Sequence, residues 1–591
     1  MSQPELTLRA ILTGIVIGLI LTPCNVYTGL KIGWSFNMSI TAALLSFGFW
    51  KLMQNLSLAK PWGLLESNIN QTTASSAASI ISGGLVAPIP ALALVSGIEL
   101  VWYQLVFWVF TVSFFGIWVA YFLLNPFLVR SPLPLPAGVA TAEVMKDIFD
   151  KGREAILRVY ALVVAIFTAG ALKLIDQHWL SLPRVSLPFS FASTGIAASK
   201  TTTYTMKNLT FFLDPSPLLM GFGVIIGPRI GLSLLFGAIV AWAGFAPWIL
   251  GNGWVSPGNL TQTASWFATV VEWLLWPGVA LMVSTSIASF VLLFVAPSKK
   301  SAESHHSLAN SEHSSSREYR STWKTLFGLL IASTLVVVAQ MLLFDTPLWV
   351  ALLSIPLAFA LAIVAGRIVG ETGIPPIGAI GQVSQLSMGM AAPSNAIINL
   401  TTANVAGGAA GQCADLLNDF KTGRLINANP YAQVIAQCFG VLTGSIIGSL
   451  AYLVLIPDPQ SLLITEAWPA PAVITWKAVA ETMNIGLDVI PMHARIAMVI
   501  GALIGICFAI IERFCANEKW MKYLPSAPAI GLAFVIPASI SITMCFGAMV
   551  GVLLQHFAFT WTQRFLIAIA SGFVAGESVA GIGSAITQLW G

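Results

Sequence analysis

Apolar residues run in long stretches without alternation; Leu218 to Val240 and Leu326 to Leu343 are apolar on all sides. A membrane barrel would show roughly 10-residue alternating strands, so helices are the predicted spanning elements. Bounded by charges, Pro and Gly, the runs predict first-half helices near residues 8–30, 35–55, 75–97, 101–128, 154–175, 217–243 and 266–296. The second half predicts helices near 323–344, 347–369, 377–390, 429–456, 494–514, 526–557 and 562–588. Between them lie shorter polar-studded segments, Leu64 to Ser82, Leu135 to Phe149, Pro393 to Phe420 and Ala472 to Val489. At about 20 residues per crossing, the chain is expected to be an all-α polytopic membrane protein with about 14–18 transmembrane helices, some broken or re-entrant.

One segment has a different pattern. Pro297 to Lys324 carries eight charged residues, several serines and His305, His306 and His313, with no apolar periodicity. It reads as a hydrophilic linker at 297–324 between a first helical half, 1–296, and a second, 325–591. The near-equal halves suggest an internal repeat. At a constant offset of 310, Pro215 to Val240 and Pro525 to Val550 match at nine of 26 positions, including a shared Pro-Ser helix start.

Composition sharpens the class. Of 591 residues, 57% are hydrophobic and 9% charged, with a mean hydropathy of +0.83, where a soluble domain carries about 25% charge. A water-soluble enzyme is excluded. The net charge of +4 is too balanced to argue for nucleic acid. The six cysteines are scattered through apolar segments without metal-ligand spacing, so neither a bound metal nor a cofactor is expected. Arg9 begins a run continuing through Asn25 and Tyr27 without a cleavage pattern, so the first helix is expected to be retained.

Polar residues within such a chain are costly, and their positions are informative. Glu66, Asn68, Asn70 and Gln71 stand together before Ser75 to Ser79. At membrane depth this segment must be buried in protein or line a water-filled cavity, and small residues alone would explain only its serines. In the second half, Asn395, Asn399 and Thr402 share one helical face, and Asn404, Gln412 and Asp415 continue the polar content across an expected break at Gly407-Gly408. The amides make Glu66, Asn68, Asn70, Gln71, Asn395, Asn399, Asn404 and Gln412 the candidate substrate-binding residues. Asp419 to Arg424 reads as an aqueous turn.

Glu371 and Glu577 each stand alone in Gly-rich apolar sequence, and a lone buried carboxylate can carry a proton. Glu371 is the first candidate for proton coupling, with Arg367 as an alternating partner, followed by Glu577 and Asp415. Lys31 reads as a snorkelling anchor.

Six motifs in order resemble the oligopeptide transporter (OPT) family: NVYTGLKIGWSFNMSI (25–40), ESNINQTTASSAASIISGG (66–84), GETGIPPIGAIGQ (370–382), TANVAGGAAGQCADLLNDFKTGRL (402–425), LPSAPAIGLAFVIP (524–537) and SGFVAGESVAGI (571–582). They are similar to the prokaryotic members and the yellow stripe-like branch. The resemblance implies a secondary active transporter, proton-coupled, moving small peptides or metal chelates of amino-acid-derived ligands. One departure is Gly411-Gln-Cys-Ala-Asp415, where similar sequences carry an acidic-Gly-Asp-type stretch.

The expected partners are therefore a peptide or metal-chelate substrate, protons and the lipid bilayer; a homodimer is compatible with the sequence. The alternatives are a channel or facilitator for a small polar solute and an intramembrane enzyme. The last would need a nucleophile–base pair or H-E-x-x-H ligands, and neither occurs; a phosphate-cradling G-x-x-x-x-G-K-[ST] loop is also absent. Basic residues Lys299, Lys300, Arg317, Arg320 and Lys324 favour a cytoplasmic linker in a cell membrane protein, with both termini on the same side if each half crosses an even number of times.

Overall fold

A computed structural model describes residues 4–33, 38–130, 133–150, 152–186, 190–193, 202–258, 264–295, 322–372, 377–392, 395–486, 488, 490–515, 520 and 523–590. Most of the hydrophilic linker, including its three histidines, lies outside them. The described chain is a succession of helices. In the first half these are α1 (Leu8–Ile32), α2 (Ser39–Asn55), α3 (Leu64–Ala78), α4 (Pro88–Ser96), α5 (Trp102–Leu124), α6 (Pro136–Asp150), α7 (Gly152–His178), α8 (Pro217–Ala238), α9 (Ala246–Gly251) and α10 (Phe267–Val295). After the linker come α11 (Thr322–Phe344), α12 (Leu348–Thr372), α13 (Ile377–Ala391), α14 (Ala396–Leu425), α15 (Pro430–Leu455), α16 (Pro459–Leu462), α17 (Pro471–Ile485), α18 (Met492–Phe514), α19 (Ala527–Val535), α20 (Ala538–Phe557) and α21 (Phe559–Trp590).

Among the described residues, 12 helical segments are long and apolar enough to cross a membrane, which makes this an all-α polytopic membrane protein. Two of the helices expected as spans, α2 with 17 residues and α13 with 15, are short for a straight crossing. Conversely, α14 has 30 residues, about 45 Å of helix, but is too polar to count as a lipid-facing span. It is hidden inside protein instead.

Several local expectations are corrected. The helix expected at 75–97 is split: α3 tightens into a 3-10 turn at Ser79–Gly83, and Pro88 starts α4. Gly407-Gly408 does not break α14. An added Cβ at Gly408 would meet the Ser82 carbonyl at 2.9 Å and the Val112 side chain, so glycine there serves close helix approach. Nor is the Asp419 to Arg424 stretch an aqueous turn; it is helical, with Lys421 and Thr422 buried. Thr422 Oγ1 donates to the Gly138 carbonyl at 2.9 Å, which ties this last turn to α6. Two small antiparallel pairs were not anticipated, β1 (Val185–Ser186) with β4 (Phe212–Leu213) enclosing β2 (Ser190–Ser193) with β3 (Thr202–Thr205).

The chain forms two compact units. Unit 1 takes residues Met1–Tyr27, Ser35–Tyr160 and Pro297–Pro457; unit 2 takes Thr28–Trp34, Ala161–Ala296 and Asp458–Gly591. Each draws on both sides of the linker, so this division differs from a cut at 297–324.

Unit 2 is built around two interrupted helical segments. Ser216 and Ser526 precede α8 and α19 with nearly the same backbone, φ −86°, ψ 113° and φ −84°, ψ 114°. The helix breaks eleven residues after Ser216 and ten after Ser526. At Gly227 the backbone reaches φ 78°, ψ 175° before Pro228; at Ile536 it is extended before Pro537. Proline removes a helical donor in both cases, and the positive φ explains the glycine. The two segments pack with reciprocal contacts: a Cβ at Gly547 would strike the Met220 carbonyl, and one at Gly237 would meet the Ile530 carbonyl at 2.6 Å.

Candidate functional site

Unit 1 contains the polar helices. α3 is buried from Glu66 to Ala78 and α14 from Ile398 to Gly423, with a single exception in the latter. That exception is Asp415, the one partly exposed position across those 26 residues of α14. Its carboxylate faces the side chain of Ser79, the first partly exposed residue after the buried stretch of α3. The first breaks in the burial of these two polar helices therefore fall side by side, with a carboxylate at the break in α14.

Gln412, Asp415 and Asp419 follow at spacings of three and four and share one face of α14. One turn further along α14 than Asp415, Asp419 is only 4% exposed and its Oδ1 accepts from Gln71 Nε2 of α3 at 3.1 Å. The same Gln71 nitrogen lies 3.0 Å from Thr72 Oγ1. From α15, Gln433 Nε2 donates to the Asp419 backbone carbonyl at 2.6 Å. No lysine or arginine pairs with Asp415 or Asp419 among the described residues. The same helices carry buried amide atoms without hydrogen-bond partners: Asn68 Nδ2, Gln71 Oε1, both side-chain polar atoms of Gln412 and Gln437, and, about three turns back along α14, Asn404 Nδ2. Each unsatisfied buried group costs about 1–3 kcal/mol, so this density suits a place where a polar ligand or water is received.

Other candidates are held by protein partners, although Oδ1 of Asn70 and Oδ1 of Asn399 are also buried without a hydrogen bond. Glu66 accepts from Arg9 Nε at 2.7 Å and Thr7 Oγ1 at 2.7 Å, and its second oxygen accepts from Arg9 Nη2 at 2.5 Å. Arg9 also donates to the carbonyls of Lys60 and Pro61 and lies over the stacked rings of Trp50 and Trp62. Asn70 Nδ2 donates to Thr13 Oγ1 at 2.6 Å and the Ala10 carbonyl at 3.1 Å, fixing α3 to α1. Asn395 is the exposed N-cap of α14, and Asn399 Nδ2 donates to the Gln385 carbonyl at 2.6 Å.

Asn404 is held by Trp108, whose Nε1 donates to Oδ1 at 2.7 Å. Beside it, Gly84 has φ 126° and a Cβ there would strike Asn404 Oδ1. The Glu371 side chain lies outside the described residues, and only its place in the last turn of α12 is given.

Glu577 lies in unit 2. Its Oε2 accepts from Ser216 Oγ and the Leu218 amide, both at 2.8 Å, while Oε1 lies 3.7 Å from Lys173 Nζ. It thereby caps the N-terminus of α8. Lys31, expected as an anchor, acts electrostatically on Asp214 of the same unit.

The structure thus brings together Gln71 and Asp415 with Asp419, a residue that the sequence places in an aqueous turn. Its signal was available: Asp415 and Asp419 stand four apart, one helical turn. The partnering Ser79 was masked by its run of small neighbours, and Arg9 by its place before an ordinary apolar helix.

A membrane protein with carboxylates and unpartnered amides among its inner helices has the build of a solute transporter. The chain belongs to the family described as OPT oligopeptide transporter protein, matched over residues 5–588, a family of transporters and not of enzymes. It is 24% identical to a putative oligopeptide transporter, YGL114W, of Saccharomyces cerevisiae, covering 99% of this chain and 96% of the relative. Identity is 23% to the probable metal-nicotianamine transporter YSL9 of Oryza sativa, over 98% of this chain and 88% of that protein. It is also 23% to the metal-nicotianamine transporter YSL2 of Arabidopsis thaliana, over 98% and 92%.

Proposed function

We propose that this protein is a proton-coupled secondary transporter for small peptides or metal chelates of amino-acid-derived ligands, with nicotianamine-like complexes as the chelate class. The observation that carries this reading is the set of buried, unpartnered amide atoms on α3, α14 and α15, beside the partly exposed Ser79 and Asp415. Peptide bonds and amino-acid chelates present donors and acceptors that amides match. Gln412, Asn68, Gln71 and Asn404 take the substrate; Glu66, Asn70, Asn395 and Asn399 hold the scaffold on which those side chains sit.

The paired broken segments of unit 2 support an internal duplication, because Gly547/Gly237 and Met220/Ile530 exchange roles at the offset of 310. In this reading the protein lies in a cell membrane with linker and termini cytoplasmic. Purified protein in liposomes should accumulate radiolabelled nickel–nicotianamine or tri-alanine when an inward proton gradient is imposed. Equal uptake without the gradient would make it a facilitator, and no uptake of either compound would remove the reading.

A further inference from the structure

We propose that Asp415 and Asp419 form a two-carboxylate proton site, with Ser79 and Gln71 as their neutral partners, and that this pair carries the proton of the transport cycle. The inference rests on the transporter reading above and assigns its coupling site.

Among the described residues three carboxylates are buried, Glu66, Asp419 and Glu577, and with the partly exposed Asp415 they divide by partner. Glu66 is held by a guanidinium and Glu577 by an ammonium with a backbone amide. Protonating either would leave a partly buried cation or a helix end without its counter-charge. Such groups make poor carriers. Asp415 and Asp419 face hydroxyl and amide partners, which serve a carboxylate in both protonation states.

Gln71 supplies the independent observation. It is fully buried, its Nε2 is directed at Asp419, and its Oε1 has no partner. With Asp419 ionised, the amide donates. With Asp419 protonated, a half-turn of the amide lets Oε1 accept from the new hydroxyl, a rearrangement unavailable to an arginine. The site therefore already contains the acceptor that a protonated Asp419 requires.

Position gives the route. Asp415 is partly exposed and Asp419 is buried one turn further along α14, with Cβ atoms about 6 Å apart, a gap of the size of one bridging water. An O–H bond forms on Asp415 from a proton delivered by water, then breaks as the proton passes to Asp419; no oxidant or further reactant is involved. The titratable groups facing the pair are each other and the neighbouring Cys413 thiol. α3 and the 3-10 turn contribute neutral Gln71 and Ser79, α15 contributes neutral Gln433, and Lys421 two residues on engages other groups.

Infrared difference spectra of the purified full-length protein after a pH jump test the site without needing the substrate. A protonated-carboxyl band should titrate in the wild type, be lost in Asp419→Asn, be lost or shifted in Asp415→Asn, and survive in Glu577→Gln. If Asp419→Asn fails to fold, Asp415→Asn at its partly exposed position decides alone. Spectra of both Asp variants matching the wild type would overturn the proposal, as would loss of the band in Glu371→Gln alone. Displacement of the band by sodium chloride but not by N-methylglucamine chloride, at constant pH, would make the site one for a metal cation and overturn the proton assignment. A titrating pair in protein that takes up neither nickel–nicotianamine nor tri-alanine would uphold the site and reject the transport reading.

Discussion

Glu66 and Asp419 are carboxylates of the same unit, nearly equally buried at 0% and 4% exposed, yet they are built into opposite circumstances. Glu66 is gripped by a bidentate arginine that is itself held over two tryptophan rings and two carbonyls. Asp419 has one amide. Burial alone therefore does not identify a functional acid in a membrane protein. A group that must gain and lose a proton cannot be bound to a fixed counter-charge, whereas a group that locks α3 to α1 should be.

The largest expected effect is on the clamp. Arg9→Ala leaves Glu66 buried without its cation and should cost about 3 kcal/mol, while a double change that also removes the charge at Glu66 should recover a substantial part. Thermal unfolding of the purified variants checks this. A double variant as unstable as the sum of the singles would show that the two residues are not coupled, and the contrast with Asp419 would lose its basis.

Gly84→Ala comes next, with an expected loss of about 2 kcal/mol from the positive φ and the collision with Asn404. Because the collision displaces an amide of the proposed cavity, substrate affinity should fall as well. Unchanged affinity in folded protein would separate Asn404 from the binding face.

Gln412→Leu should act in the opposite sense to Arg9→Ala. Both polar atoms of Gln412 are already unpartnered, so stability should change by less than about 1 kcal/mol while KM rises about tenfold. Uptake kinetics alongside thermal unfolding test the separation. A large loss of stability with normal KM would place Gln412 with Glu66 among the structural groups.

The smallest effect is expected from cutting the linker. Halves 1–310 and 311–591, co-expressed, should assemble and transport at close to wild-type rates. Each half expressed alone should fail to accumulate, because both compact units need segments from either side. A stable single half would contradict that division.

The fold class was legible from continuous apolar runs, since length and hydropathy directly determine what can cross a bilayer. The interruption of α3 was less so: Ser79 to Gly83 contains no proline, and the turn there depends on packing against α5 and α14. Gly407-Gly408 gave the opposite error, because glycine that permits close helix approach looks the same in a sequence as glycine that ends a helix. At the candidate site, the polar density of residues 66–71 and 395–415 was visible, but the sorting of those residues was not. Whether Glu66 is free or clamped depends on Arg9, 57 residues earlier, and such long-range pairing leaves no local pattern.

The central claim, that the cation-free carboxylates couple transport to protons, is tested most directly by uptake into liposomes carrying Asp419→Asn. The account predicts that accumulation of nickel–nicotianamine or tri-alanine driven by a proton gradient falls at least tenfold, while exchange of the same compound at equal pH on both sides stays within about threefold of wild type. Gradient-driven accumulation at the wild-type level, with unchanged pH dependence, would contradict it.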